Sequence, residues 1–177
     1  MNIHIPPDSG HDLSDVPASL EGLLDFLEQV EHPFLRDKVK QIEDRLADAR
    51  DSEVGSHTDI LEVLQGEIAG VMADLFNHLS REERELFPRA RRLVDAGGSA
   101  DADVSFSEMV APFRHDHENA LDYIERMRRT TGDFYVPDQA GQDFKDAFRE
   151  LEAFHRRPER HAWTEDNLLV PGVTDFR

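Results

Sequence analysis

The sequence predicts an all-α protein, an up-down-up-down four-helix bundle. Three observations carry that prediction. Apolar residues recur at steps of three and four through four long segments. No convincing run of alternating, β-branched residues occurs between them. The segments are joined by short connections marked by Gly and Pro, which favours antiparallel packing of neighbours.

Residues 1–16 are rich in Pro, Asp, Ser and Gly and are expected to be a flexible lead-in. The bundle is expected to occupy 17–177. The first helix runs from near Pro17 to about Ser52, with a core stripe of Leu20, Leu24, Leu27, Leu35, Val39, Ile42 and Leu46. The second begins near Thr58, carries Leu61, Leu64, Ile68, Val71, Leu75 and Leu79, and ends before Gly97-Gly98. A loop from Gly97 to Asp103 leads into the third, about Val104 to Arg129, with Phe106, Met109, Phe113, Leu121, Ile124 and Met127. A linker from Thr130 to Pro137 precedes the fourth, which carries Phe144, Phe148, Leu151 and Phe154.

Composition narrows the chemistry. The 177 residues suit one domain with a sizeable core. A formal net charge of −18 repels nucleic-acid phosphates and anionic membranes, so neither is an expected partner. No apolar stretch is long enough to span a bilayer, and the N-terminus lacks the pattern of a secretory signal, so a cytoplasmic location is expected. The absence of cysteine excludes disulfides, zinc–thiolate sites, Fe–S ligation and thiol catalysis by this chain. Against that background, nine histidines beside two tyrosines and one tryptophan are conspicuous.

Two short segments repeat one pattern. His78-Leu-Ser-Arg-Glu82 is followed by Leu86 and Pro88, and His161-Ala-Trp-Thr-Glu165 by Leu169 and Pro171. Each Glu lies four residues after its His, on the same helix face and one turn away, so both can reach one metal centre. Both pairs continue the apolar stripes of their helices. A glutamate on a buried face costs several kcal/mol unless it meets a cation. One such pair is ordinarily a helix-surface contact. Two, at matching positions on core stripes, point to a pseudo-symmetric metal site. The other two helices each add a core-facing histidine. His117 lies in the stripe of Phe113 and Leu121, and His32 shares a face with Leu35, Val39 and Ile42. His115 and His155 face elsewhere, and His4 and His11 lie in the lead-in.

With these residues in view, the chain resembles the haemerythrin-like HHE cation-binding family from about residue 18 to 171. The specific pieces are His78-Leu-Ser-Arg-Glu82-Glu-Arg-Glu-Leu-Phe-Pro88, Asp116-His117-Glu118 and His161-Ala-Trp-Thr-Glu165-Asp-Asn-Leu-Leu-Val-Pro171. The last is similar to the second His–Glu motif of the subgroup called repair of iron centres proteins. So is Arg129-Thr-Thr-Gly-Asp-Phe-Tyr-Val-Pro137 to that subgroup's connection between the third and fourth helices. The resemblance implies a di-iron site in the bundle core, with His32, His78, His117 and His161 as terminal ligands and Glu82 and Glu165 as bridges. The subgroup usually carries a cysteine-bearing N-terminal domain, and with no cysteine in the sequence none is expected here. Pro158, three residues before His161, is expected to kink the fourth helix. The family's further histidine, late in the first helix, has no clean match. Counting from His32, its position falls on Glu53 or its neighbour, while His57 stands one turn further on. Imidazole as the family's ligand type there favours His57; the alternative is that His57 simply begins the second helix.

Imidazole with carboxylate suits iron, with zinc or manganese as possible substitutes. Six or seven protein ligands suggest two ions, oxo- or hydroxo-bridged, because a single zinc prefers four. Of about twelve octahedral positions on two ions, such a set leaves one or two open. Small diatomic ligands such as O2 or NO, or peroxide, are then the expected partners. The leading expectation is a non-haem di-iron protein that binds or reacts with them, in oxidative or nitrosative stress or iron-centre repair. The alternatives are a non-catalytic oxygen-binding, iron-storage or sensing bundle, and a structural bundle with incidental histidines.

Overall fold

The computed structural model describes residue 3 and residues 10–52, 57–96 and 100–174, with the side chains of 100–105 left aside. Among the described residues the fold is all-α, with no strand. Four long helical runs follow one another. The first is α1 (Leu20–Phe26) and α2 (His32–Ser52), and the second is α3 (Thr58–Arg81) and α4 (Phe87–Asp95). The third is α5 (Ala100–Thr130). The fourth is α6 (Gln142–Phe154), α7 (Arg156–Thr164) and α8 (Val170–Thr174). Ser19 caps α1, its hydroxyl accepting from the Gly22 N–H at 3.2 Å. After α5 the chain turns through three residues at positive φ, Gly132, Asp133 and Phe134. Phe134 donates its N–H to the Thr131 hydroxyl at 2.9 Å, and its own side chain is buried.

Contacts gather the chain into two compact units, each taking a stretch of every run. One unit comprises Met1–Pro33, Asn77–His117 and Glu159–Arg177; the other comprises Phe34–Phe76 and Glu118–Pro158. In the second unit the predicted stripes of Val39, Ile42, Leu64, Ile68, Phe144 and Phe148 are buried, and the Phe144 and Phe148 rings stack at 4.1 Å. The core of the first unit is built from Leu20, Leu24, Leu27, Phe87, Phe106, Phe113 and Leu169. Leu13 and Val16 join it, Ile3 packs against it, and Asp15 pairs with Arg160. Part of the stretch expected to be a free lead-in therefore packs down, because it carries these apolar side chains among its polar ones.

Three wide π-helical turns interrupt the runs: Leu27–Glu31, Glu82–Leu86 and Glu165–Leu169. Each closes with an N–H reaching five residues back, from His32 to the Leu27 carbonyl, Phe87 to Glu82 and Val170 to Glu165. The residue after each closing N–H is a proline: Pro33, Pro88 and Pro171. A proline cannot donate to the carbonyl four residues back and its ring presses on it, so widening the preceding turn relieves the conflict. Proline alone does not force such a turn, since Pro112 lies within α5 without one. Before Pro158 the fourth run is interrupted at His155, whose backbone stays in the right-handed helical region, and Pro158 becomes the third residue of α7. In a first turn its missing N–H costs nothing.

Candidate metal centre

All six of His32, His78, Glu82, His117, His161 and Glu165 lie in the first unit, and all are buried. His32 opens α2, immediately beyond one π turn, while Glu82 and Glu165 each open another. His117 comes from the body of α5. The donor atoms of His78, Glu82, His117, His161 and Glu165 lie within 4.8 Å of one another. His32 joins them through Glu82, with its Nε2 3.3 Å from Oε2, and its ring centroid is 5.3 Å from that of His161.

Glu82 is the hub. Its Oε1 stands 2.8 Å from His78 Nε2 and 3.7 Å from His117 Nε2; its Oε2 stands 3.3 Å from His32 Nε2 and 3.7 Å from His161 Nε2. Glu165 places Oε2 3.4 Å from His117 and Oε1 3.8 Å from His161. Burial by itself would raise the Glu82 carboxyl, but the four imidazoles outweigh it and hold it well below the usual carboxylate range. Glu165 is pushed up, by burial and by the charge of Glu82. Burial disfavours charge on His117 and His161, yet both are raised: His117 well up by Asp166, Glu165 and Glu82, and His161 by Glu165 and Glu82.

The donor set fits a metal. The Nε2 atoms of all four histidines, both oxygens of Glu82 and Oε1 of Glu165 are buried without an aligned hydrogen-bond partner. Even the 2.8 Å approach of His78 to Glu82 is out of line for one. Burying so many polar atoms unsatisfied is costly, and two core carboxylates call for positive charge. The nearby guanidinium groups are committed elsewhere: Arg81 to Asp116 at 2.7 Å, Arg114 to Asp166 at 3.0 Å and Arg160 to Asp15.

Behind the cluster stand carboxylates that the sequence reading did not single out. His32 Nδ1 meets Glu83 Oε1 at 2.9 Å, His78 Nδ1 meets Asp116 Oδ2 at 3.4 Å, and His117 Nδ1 meets Asp166 Oδ2 at 3.5 Å. Such partners fix which ring nitrogen is free for a metal. Asp166 is held low: burial works against its charge, but His117 and Arg114 prevail. The signal for all three was present, since each is the immediate chain neighbour of a cluster residue.

His57 is not among the residues whose donors converge. It lies in the second unit, its ring 5.2 Å from that of Phe144. His32 is the first residue of α2 and His57 follows its last by five. Twenty helical steps carry the chain about 30 Å along the axis. Sharing a helix face with His32 therefore does not bring His57 to the same end. Glu53, the other position considered there, lies outside the described residues. Among the remaining histidines, His115 is exposed, and His155 is half-buried with its ring 5.0 Å from that of Phe134. The ring of His11 lies 5.5 Å from Trp163, and His4 falls outside the described residues.

Four core imidazoles and two core carboxylates, delivered by four helical runs, define a histidine–carboxylate metal-binding helical protein. The chain belongs to the hemerythrin HHE cation binding domain family, which it matches over residues 26–173. Among curated proteins it is similar to the iron-sulfur cluster repair protein ScdA of Staphylococcus epidermidis, at 19% identity over 88% of this chain and 67% of that protein. It is also similar to the iron-sulfur cluster repair protein DnrN of Neisseria gonorrhoeae, at 28% identity over 64% of this chain and 70% of that one. No helix among the described residues is long and apolar enough to cross a membrane.

Proposed function

We propose that the chain is a non-haem di-iron protein that binds or reacts with O2, NO or peroxide, in oxidative or nitrosative stress or the repair of iron centres. The observation that carries this reading is how the carboxylates divide the histidines. Glu82 Oε1 and Glu165 Oε2 face His78 and His117, whereas Glu82 Oε2 and Glu165 Oε1 face His161, with His32 beside Glu82 Oε2. Two equivalent sets of donors result, each with two imidazoles and one oxygen from either carboxylate. Two cations would each be held by two of these imidazoles and by oxygens that the two carboxylates share between them. His57 takes no part in this assignment.

Iron bound at such N/O donors supplies redox chemistry and coordination positions open to small exogenous ligands. The residues around it do the rest. Glu83 and Asp116 hydrogen-bond the Nδ1 atoms of His32 and His78, and Asp166 stands 3.5 Å from that of His117, so that Nε2 faces inward. Phe87 and Phe113, both buried, lie against the rings of His32 and His78 at 5.2 and 6.0 Å and limit access of water. The names of the ScdA and DnrN relatives support the repair role. Metal analysis joined to optical spectroscopy in both redox states, with and without O2 and NO, tests the reading. Two irons per chain are expected. One four-coordinate zinc under iron-replete expression would overturn it. Turnover of NO or peroxide would mark a catalyst, and stable reversible oxygenation a carrier.

A further inference from the structure

The carboxylates behind the cluster follow a rule of symmetry that they leave one residue short of complete. The duplicated His–Glu motif relates the second helical run to the fourth, and so relates the first to the third. On the second and fourth runs the acid follows the cluster glutamate: Glu83 after Glu82, and Asp166 after Glu165. Each reaches the histidine of the preceding run, Glu83 to His32 and Asp166 to His117. On the third run the acid precedes the histidine, and Asp116 reaches His78 on the second run. The equivalent position on the first run is the residue before His32. It is Glu31, and the histidine that the same operation assigns to it is His161 on the fourth run.

Three further observations agree. Glu31 is only 1% exposed, which is unusual for a glutamate on a helix with no role in the core. The His161 ring lies 5.3 Å from the ring of His32, the chain neighbour of Glu31. His161 Nδ1 is buried and has no aligned hydrogen-bond partner, as is also true of His117 Nδ1, which stands 3.5 Å from Asp166. A metal-ligating imidazole regularly donates from its second nitrogen to a carboxylate or carbonyl.

We infer that Glu31 is the positioning residue of His161, its carboxylate accepting the Nδ1–H when Nε2 holds metal. The inference rests on the metal-binding reading above. It completes a cycle in which every run both supplies a histidine and orients that of a neighbour, so that no ligand is placed by its own helix alone.

Zinc is the probe, because it is diamagnetic and its complex can be followed by nitrogen-15 correlation spectra of the histidine rings. In zinc-loaded Glu31→Leu the His161 Nδ1–H resonance should lose its hydrogen-bonded position, with those of His32, His78 and His117 unmoved. Zinc affinity, read by chelator competition, should fall about 10- to 100-fold. Glu31→Gln keeps the size of the side chain and a carbonyl acceptor, and should restore most of the affinity. Its His161 signal should move only part of the way. A His161 resonance indifferent to both substitutions overturns the inference, as does a glutamine as damaging as leucine. Should Glu31→Leu fail to fold, Glu31→Gln decides alone: its His161 signal must move upfield while the other three stay. Wild-type protein that loads neither zinc nor iron overturns the metal reading and the inference with it; normal loading with an unresponsive His161 overturns the inference alone.

Discussion

Replacing Glu82 with alanine should strip the centre more completely than any other single change. Both oxygens of this one carboxylate are engaged, and each is approached by two imidazoles, between 2.8 and 3.7 Å away. Its side chain is wholly buried, so no water makes good its loss. Removing one partner from a buried ionic contact costs about 3–5 kcal/mol. At 1.4 kcal/mol per factor of ten, that is roughly a 100- to 4,000-fold loss of affinity. Glu165 meets His117 and His161 at 3.4 and 3.8 Å, farther than the nearest imidazoles of Glu82, so Glu165→Ala should lie at the mild end of that range. Glu118 is exposed and should be indifferent. Iron content by elemental analysis, and affinity by chelator competition, should rank the variants in that order. Iron retained by Glu82→Ala at the wild-type level would refute the hub role. Equal losses in Glu82→Ala and Glu118→Ala would show a fold defect instead.

The other expectations follow from the same geometry. His57→Ala should match the wild type in iron content, optical spectrum and azide affinity, because its ring lies on Phe144; a loss of iron or shifted bands would return it to the ligand set. Asp116→Ala should lower metal affinity about 10-fold or more. The half-exposed Arg81–Asp116 pair contributes at most about 1 kcal/mol to the metal-free fold, so the melting temperature without metal should move by only a few degrees. Metal loading should release protons, since His117 and His161 are both raised and must free their Nε2 atoms. Calorimetry in buffers of different ionisation heat checks this, and a buffer-independent heat would contradict it. The raised His117, His161 and Glu165 groups stabilise the metal-free form below their ordinary values, and that contribution fades as pH rises through the folded ones. The metal-free protein should therefore melt higher at about pH 6 than at about pH 8, with the order reversed once metal is bound.

The sequence displayed the helices and the donors well and their distances poorly. Stripes such as Leu35, Val39, Ile42 and Leu46 are wholly buried, because a 3.6-residue period reports which face is inward regardless of what packs against it. The His78–Glu82 and His161–Glu165 pairs were visible because both members lie on one helix turn. Periodicity reports angle and not distance along the axis, so it does not separate His57 from His32. Glu83 and Asp116 stand next to cluster residues in the chain but act across helices, on histidines 51 and 38 residues away, and adjacency does not report that partner. Pro158 marks a disturbance of the fourth run, and the interruption falls three residues earlier at His155, since a proline forbids a bond to a residue behind it.

The π turns have a bearing on how this chain can vary. A wide turn holds one residue more than the helix around it, so each acts as a built-in single-residue insertion. Were the turn between Glu82 and Phe87 to tighten into ordinary helix with every residue kept, everything beyond would rotate by about 100°. Leu86, Phe87, Ala90 and Leu93, now turned into the core, would leave it while Glu82 stayed in place. The wide turn thus holds the apolar residues beyond it in register with Glu82, and the proline that follows is its mark in the sequence.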